Sequence, residues 1–201
     1  KYYLTDFMII RVFISLCFFL SVISTFGQQV NYSANNYQLE FANAYNQYPA
    51  VPKGVLEAVS YTMTRFQHIQ NVEQSCTGLP KTYGVMGLTL DGENYFNNNL
   101  LYISQVSGIS VNDILNNPQQ NILAFAAAYN HQLMLLSPFK DQELNVAHIL
   151  TQLSELPTSN LQADFALNSH LYSVMNFMND KKMQKTYNFP NPNFDLEKVF
   201  G

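Results

Sequence analysis

After Pro118 the chain runs through QQNILAFAAAYNHQLMLL, a stretch far longer than a strand and rich in alanines that let neighbouring helices approach closely. Pro118 suits the first helical turn, where its missing N–H costs nothing. Nowhere after Gln38 do apolar and polar residues alternate with a sustained period of two, so the fold expected is all-α.

The remaining helices follow from punctuation. Leu39 to Tyr45 reads as a short helix, and Pro52 is expected to open the next, which runs to about Phe66. Its apolar stripe is Val55, Val59, Met63 and Phe66. Gln67 to Gly92 carries Gly78, Pro80, Gly84 and Gly87 as well as Gly92, and reads as loop. A helix is expected from Tyr95 to Val106, ended by Gly108, and a short one opens on Ser110 with Asp113 completing a weak capping box. Beyond the Pro118 helix, Asp141 to Leu156 carries an apolar face of Leu144, Ala147, His148 and Leu153, and Pro157 stops it. Ser159 is expected to cap a last helix, Leu161 to Asn179. No internal repeat is evident.

Both ends of the chain differ from this body. VFISLCFFLSVI follows Arg11 and precedes Thr25-Phe26-Gly27, the pattern of a secretory signal peptide cleaved before Gln28, with Met8 as the expected initiator. The competing reading is an uncleaved anchor, although a span needs about 20 apolar residues. Residues 28–37 then form a flexible leader, 38–185 the helical domain, and 186–201 a linker toward a further domain. That tail carries Pro190 and Pro192 among Phe189, Phe194, Leu196, Val199 and Phe200, too apolar for a free end; the alternative is a tail folded back on the domain. Export permits disulfides, but cleavage removes Cys17 and leaves Cys76 alone.

Several functions are excluded by composition and spacing. A net charge of -4, with only 12% charged residues, gives no basic surface for nucleic acid. His68, His131, His148 and His170 lack the spacing of a metal site, so no metal or other cofactor is expected in this segment. There is no phosphate-binding glycine loop and no nucleophile elbow. After signal cleavage no membrane segment is expected.

The order of motifs resembles that of the lysozyme-like lytic transglycosylases, over residues 41 to about 135. Pro52-Lys53-Gly54-Val55-Leu56-Glu57-Ala58-Val59-Ser60-Tyr61-Thr62-Met63-Thr64-Arg65-Phe66 is similar to that family's first helix, with Met63 at the place of its catalytic glutamate and Thr64 at that of its serine. Gly84-Val85-Met86-Gly87 resembles the Gly-Leu-Met-Gln loop, with Gly87 in place of the cleft-lining glutamine. Asn117-Pro118-Gln119-Gln120-Asn121-Ile122 is similar to the Asp-Pro-x-x-Asn-Ile that opens the family's small-residue helix, and Tyr129 falls one residue late for its tyrosine.

The resemblance implies a lysozyme-like fold and glycan contacts at Tyr83, Gly84, Met86, Gly87, Asn121 and Tyr129. Tyr95 and Tyr102 are further rings that could floor a sugar groove. It implies no activity: methionine can neither give nor take the proton, a service typically worth about 10²- to 10⁴-fold. Carboxylates that could replace it are Glu57, roughly 120° around the helix from Met63, and Glu73 and Asp91 in the adjoining loops. From periodicity alone Met63 is a core residue. Export, the TYGVMGL loop and the FDLEKVFG tail also resemble the N-terminal region of bacterial N-acetylmuramoyl-L-alanine amidases, whose zinc would lie in a following domain. The function expected is therefore an exported, catalytically degenerate, peptidoglycan-engaging module, acting on glycan strands beside an amidase domain in the periplasm or outside the cell. The alternatives are an active muramidase or lytic transglycosylase with a relocated carboxylate, and a helical scaffold that binds protein.

Overall fold

The computed structural model describes residues 37–70, 80–93, 95–136, 141–158 and 160–201. The expected signal peptide, Cys17, residues 28–36 of the leader, Glu73, Cys76, Gly78 and Ser159 lie outside them. The elements in chain order are α1 (Gln38–Gln47), α2 (Val55–Thr64), β1 (Lys81–Tyr83), β2 (Leu88–Leu90), α3 (Asn99–Ser107), α4 (Val111–Asn116), α5 (Pro118–Leu135), α6 (Gln142–Leu153), α7 (Leu161–Asn179), α8 (Lys181–Tyr187) and α9 (Leu196–Phe200). The described residues are thus mostly helical, with one two-stranded sheet. Among them no helix is long and apolar enough to cross a membrane.

The organising element is α5. Asn121, Ile122 and the run from Ala124 to Tyr129 are all buried, so the helix is enclosed on nearly every side. It packs against α1, α3, α4 and α6, and its alanines keep those neighbours close. Its start is set by Asn117, whose side-chain oxygen accepts the Gln119 N–H at 2.9 Å, with Pro118 directly behind. Ser110 caps α4 as expected, accepting the Asp113 N–H at 3.1 Å. Gly108 closes α3 in the left-handed conformation.

Local side chains moved several boundaries. Pro52 does not open α2; it lies in the turn before it, and the helix starts at Val55 on Gly54. At the other end Arg65 and Phe66 are left-handed, so α2 stops at Thr64 while Phe66 still reaches the core. The stretch Gln67 to Gly92, expected as loop, holds β1 and β2, paired antiparallel with Thr82 opposite Thr89. The helix expected from Tyr95 begins at Asn99, because the Asp91 carboxylate takes the N–H groups of Glu93, Tyr95 and Phe96 at 2.9, 2.7 and 2.8 Å. The buried face of α6 is Val146, Ala147, Ile149, Leu150 and Leu153, rotated from the expected one so that Leu144 and His148 are only half-buried. The cap of α7 is Asn160, which accepts the Ala163 N–H at 2.9 Å.

The tail differs most. Residues 186–201, expected as a linker, pack onto the helices. Phe189 is buried against Gly54 and stacks on Phe177, with ring centroids 6.0 Å apart. The Asn179 side chain clamps the backbone of Phe194 at both ends, accepting its N–H at 3.0 Å and donating to its carbonyl at 2.9 Å. Lys198 then pairs with Asp141 and Glu143 at the start of α6. The tail's apolar side chains had a surface to cover within this chain, which is the folded-back alternative.

Candidate functional site

Three separated stretches of sequence meet at one place: the end of α2, the loop 84–87 between the strands, and the start of α5. Thr64 on α2 places its hydroxyl 2.7 Å from the Val85 carbonyl. Asn121 on α5 accepts the Met86 N–H at 2.8 Å and donates to the Ile114 carbonyl at 3.2 Å. Gly84 is left-handed (φ 72°), and a Cβ there would come within 2.0 Å of the Asn121 amide. Gly87 is left-handed too (φ 67°), and a Cβ there would lie 2.5 Å from Met63 Cβ. Met63 and Gly87 therefore interlock: the space a larger residue at 87 would need holds the methionine.

What remains beside them is a void of about 10 Å³, bounded by Met63, Met86, Gly87, Phe125, Glu155 and His170 among others. That is about the room of one water molecule, far less than a sugar ring. Glu155 and His170 were not singled out in the sequence, yet they are the ionisable groups on this void. Burial pushes the Glu155 carboxyl up, against a hydrogen bond from Ser154. Burial also holds His170 down at about 4. Each group thus leans toward its uncharged form. His170 was legible in part, since it falls three residues after Leu167 and four before Val174, both buried on α7.

The lowered His170 sets a sign for acid stability. Its unfolded value is near 6.5 and its folded value about 4. Between them the unfolded chain binds a proton that the folded chain refuses, so stability falls as pH drops from 6.5 to 4. A shift of this size corresponds to about 3 kcal/mol, and the solvent that still reaches the half-buried ring reduces it to about 2. His170→Gln, which cannot titrate, is expected to remove that loss; urea midpoints of both proteins at pH 7 and pH 4 measure it. Equal acid losses in both would overturn the assignment.

The other expected site residues are placed as follows. Tyr83 is half-buried at the end of β1, while Gly84, Met86, Gly87 and Asn121 are buried. Tyr129 is 0% exposed, so its ring offers no face to a sugar. Its hydroxyl has no hydrogen-bond partner among the described residues. An unpaired buried hydroxyl costs about 1–3 kcal/mol, so Tyr129→Phe is expected to raise stability by about 1 kcal/mol in urea unfolding. A loss of stability would show that the hydroxyl has a partner. Tyr95 is exposed, and Tyr102 accepts from the Gln132 amide.

Neither described carboxylate named as a replacement reaches Met63's void. Asp91 is committed to its loop: the N–H groups of Glu93, Phe96 and Tyr95 hold it below the usual carboxylate range, while burial opposes them. Glu57 sits three residues after Gly54, at the capping-box position of α2. Tyr45 donates to it at 2.5 Å, and the same hydroxyl accepts the N–H groups of Gly54 and Leu56 at 2.9 and 3.1 Å. Burial raises Glu57 although the Tyr45 bond pulls the other way, and Tyr45 is raised well above its ordinary value by burial and by Glu57. This pair satisfies the first turn of α2. It also borders a separate, open cleft of about 630 Å³ between α1, the start of α2 and residues 186–189.

No group of His, Cys, Asp and Glu among the described residues could hold a metal ion. Comparison of the chain with protein families, curated proteins and solved structures finds no match.

Proposed function

We propose that the chain is a binding module with no glycosidase chemistry at Met63: a degenerate lysozyme-like domain, exported, that engages peptidoglycan and works beside an N-acetylmuramoyl-L-alanine amidase domain. The observation that carries this reading is the interlock of Met63 with Gly87, which leaves a void of about 10 Å³ where the resemblance places a catalytic cleft. The meeting of the three motif stretches at that point supports the lysozyme-like reading. The two departures from the family pattern are coupled, because Met63 fills the space that a side chain at position 87 would need.

A second reading, a muramidase with a relocated acid, is favoured by Glu155, a carboxyl pushed toward its protonated form on the same void. Incubation of the mature protein with intact sacculi separates the two. Binding above a serum-protein control, with no soluble fragments released, is expected. Fragments that disappear in Glu155→Gln would establish the muramidase. No binding at all would remove both and leave the protein-binding scaffold, which a void too small for a sugar ring also suits.

A further inference from the structure

The open cleft beside Glu57 has no counterpart in the motifs, and its chemistry is distinctive. Among the described residues its only charged groups are Lys53 and the fixed Glu57. Around them stand the amides of Gln38, Asn46 and Asn188 and the half-buried Tyr187. We infer that this cleft, rather than the far smaller void at Met63, takes a saccharide unit of the wall glycan; the inference rests on the peptidoglycan reading above.

The size, about 630 Å³, falls within the roughly 300–1,000 Å³ of small-molecule sites. One lysine without an arginine or a basic cluster is a poor match for phosphate or nucleic acid. A lining with three primary amides is too polar for a lipid tail. Amides both donate and accept, so each can answer a hydroxyl or an N-acetyl group of a neutral sugar. Lys53, exposed at the start of α2, suits a carboxylate carried at the edge of such a ring. The walls are already set: Tyr45 and Glu57 fix one side, and the stack of Phe189 on Phe177 fixes the segment that forms the other. A preformed site loses little in ordering when a ligand enters.

Calorimetric titration of the mature protein tests this with three probes: the N-acetylglucosamine trimer, a purified disaccharide–peptide fragment, and the free stem peptide. The first two are expected to bind. Ala42→Trp, an exposed position on the cleft wall, should weaken both at least about tenfold by filling the space. Lys53→Gln should weaken the disaccharide–peptide about tenfold and leave the trimer nearly unchanged. Thermal unfolding of each variant checks that the fold is retained. Undiminished binding by Ala42→Trp would overturn the site, and binding of the stem peptide in place of the sugars would overturn the saccharide. Capture of sacculi without binding of any soluble probe would overturn the cleft and leave the proposed function standing. Failure of both assays would remove the two together.

Discussion

Gly84→Ala is expected to destabilise the protein by about 4 kcal/mol and to loosen the loop 84–87 before the rest of the fold. Two costs add. An alanine held at φ 72° pays about 1–2 kcal/mol for the left-handed conformation. Its Cβ would also fall 2.0 Å from the Asn121 amide nitrogen, in a region where Asn121 is 0% exposed. Displacing that side chain strands the Met86 N–H and the Ile114 carbonyl, and each buried orphan costs about 1–3 kcal/mol. Urea unfolding gives the total, and hydrogen exchange at the Met86 amide gives the local part. Asn121→Ala should cost about 3 kcal/mol through the same lost bonds. Because both substitutions act on one staple, the double variant should fall well short of their sum. An additive result would mean that Gly84 is conserving space for something other than Asn121.

This staple shows what the sequence could and could not disclose. Asn121 and Gly84 were named as motif residues, as sugar contacts; in the folded chain they also hold a loop onto a helix start. A motif match reports that residues of certain types occur in order, and such residues are as useful for fastening a cleft's wall as for touching what enters it. Start and stop signals were legible because they are local: Ser110, Pro118 and Gly108 each act within a turn of their own helix. The strands were not, since three residues apiece leave no room for a period-two pattern to establish itself. Asp91 delayed a helix by taking N–H groups several residues ahead, a competition that propensity does not register. The tail's apolar residues were legible as needing cover. Which surface supplied it depended on Phe177 in α7 and on Gly54, far away in the chain. Glu155 and His170 were missed for the same reason, because the void they share is assembled from α2, the strand loop, α5, α6 and α7 and belongs to no single segment.

Met63→Glu carries the largest consequence for function, and it should not restore a catalyst. Glutamate is no bulkier than methionine, so the cost is electrical: at pH 7 its carboxylate would face Met86, Phe125 and a Glu155 already pushed up by burial, and the basic group among the described residues on the void, His170, is held uncharged at that pH. A fully buried unpaired charge costs several kcal/mol; at half-buried Met63 solvent takes up part of that, and about 2 is expected here. The group would respond by taking up a proton, so its folded pKa would be raised above the unfolded carboxylate value. The penalty is then full at neutral pH and shrinks as pH falls through the folded value. Urea midpoints at pH 7 and pH 4.5 should show the variant recovering much of its deficit in acid, while Met63→Leu, which keeps volume and brings no charge, should lose less than about 1.5 kcal/mol at either pH. No anhydro or reducing-end fragments should appear when Met63→Glu is given glycan strands, since an acid without room for a sugar ring has nothing to protonate. A variant that is as stable as the parent at pH 7 would mean that water reaches position 63 freely. The case for a filled-in, non-catalytic site would then fall.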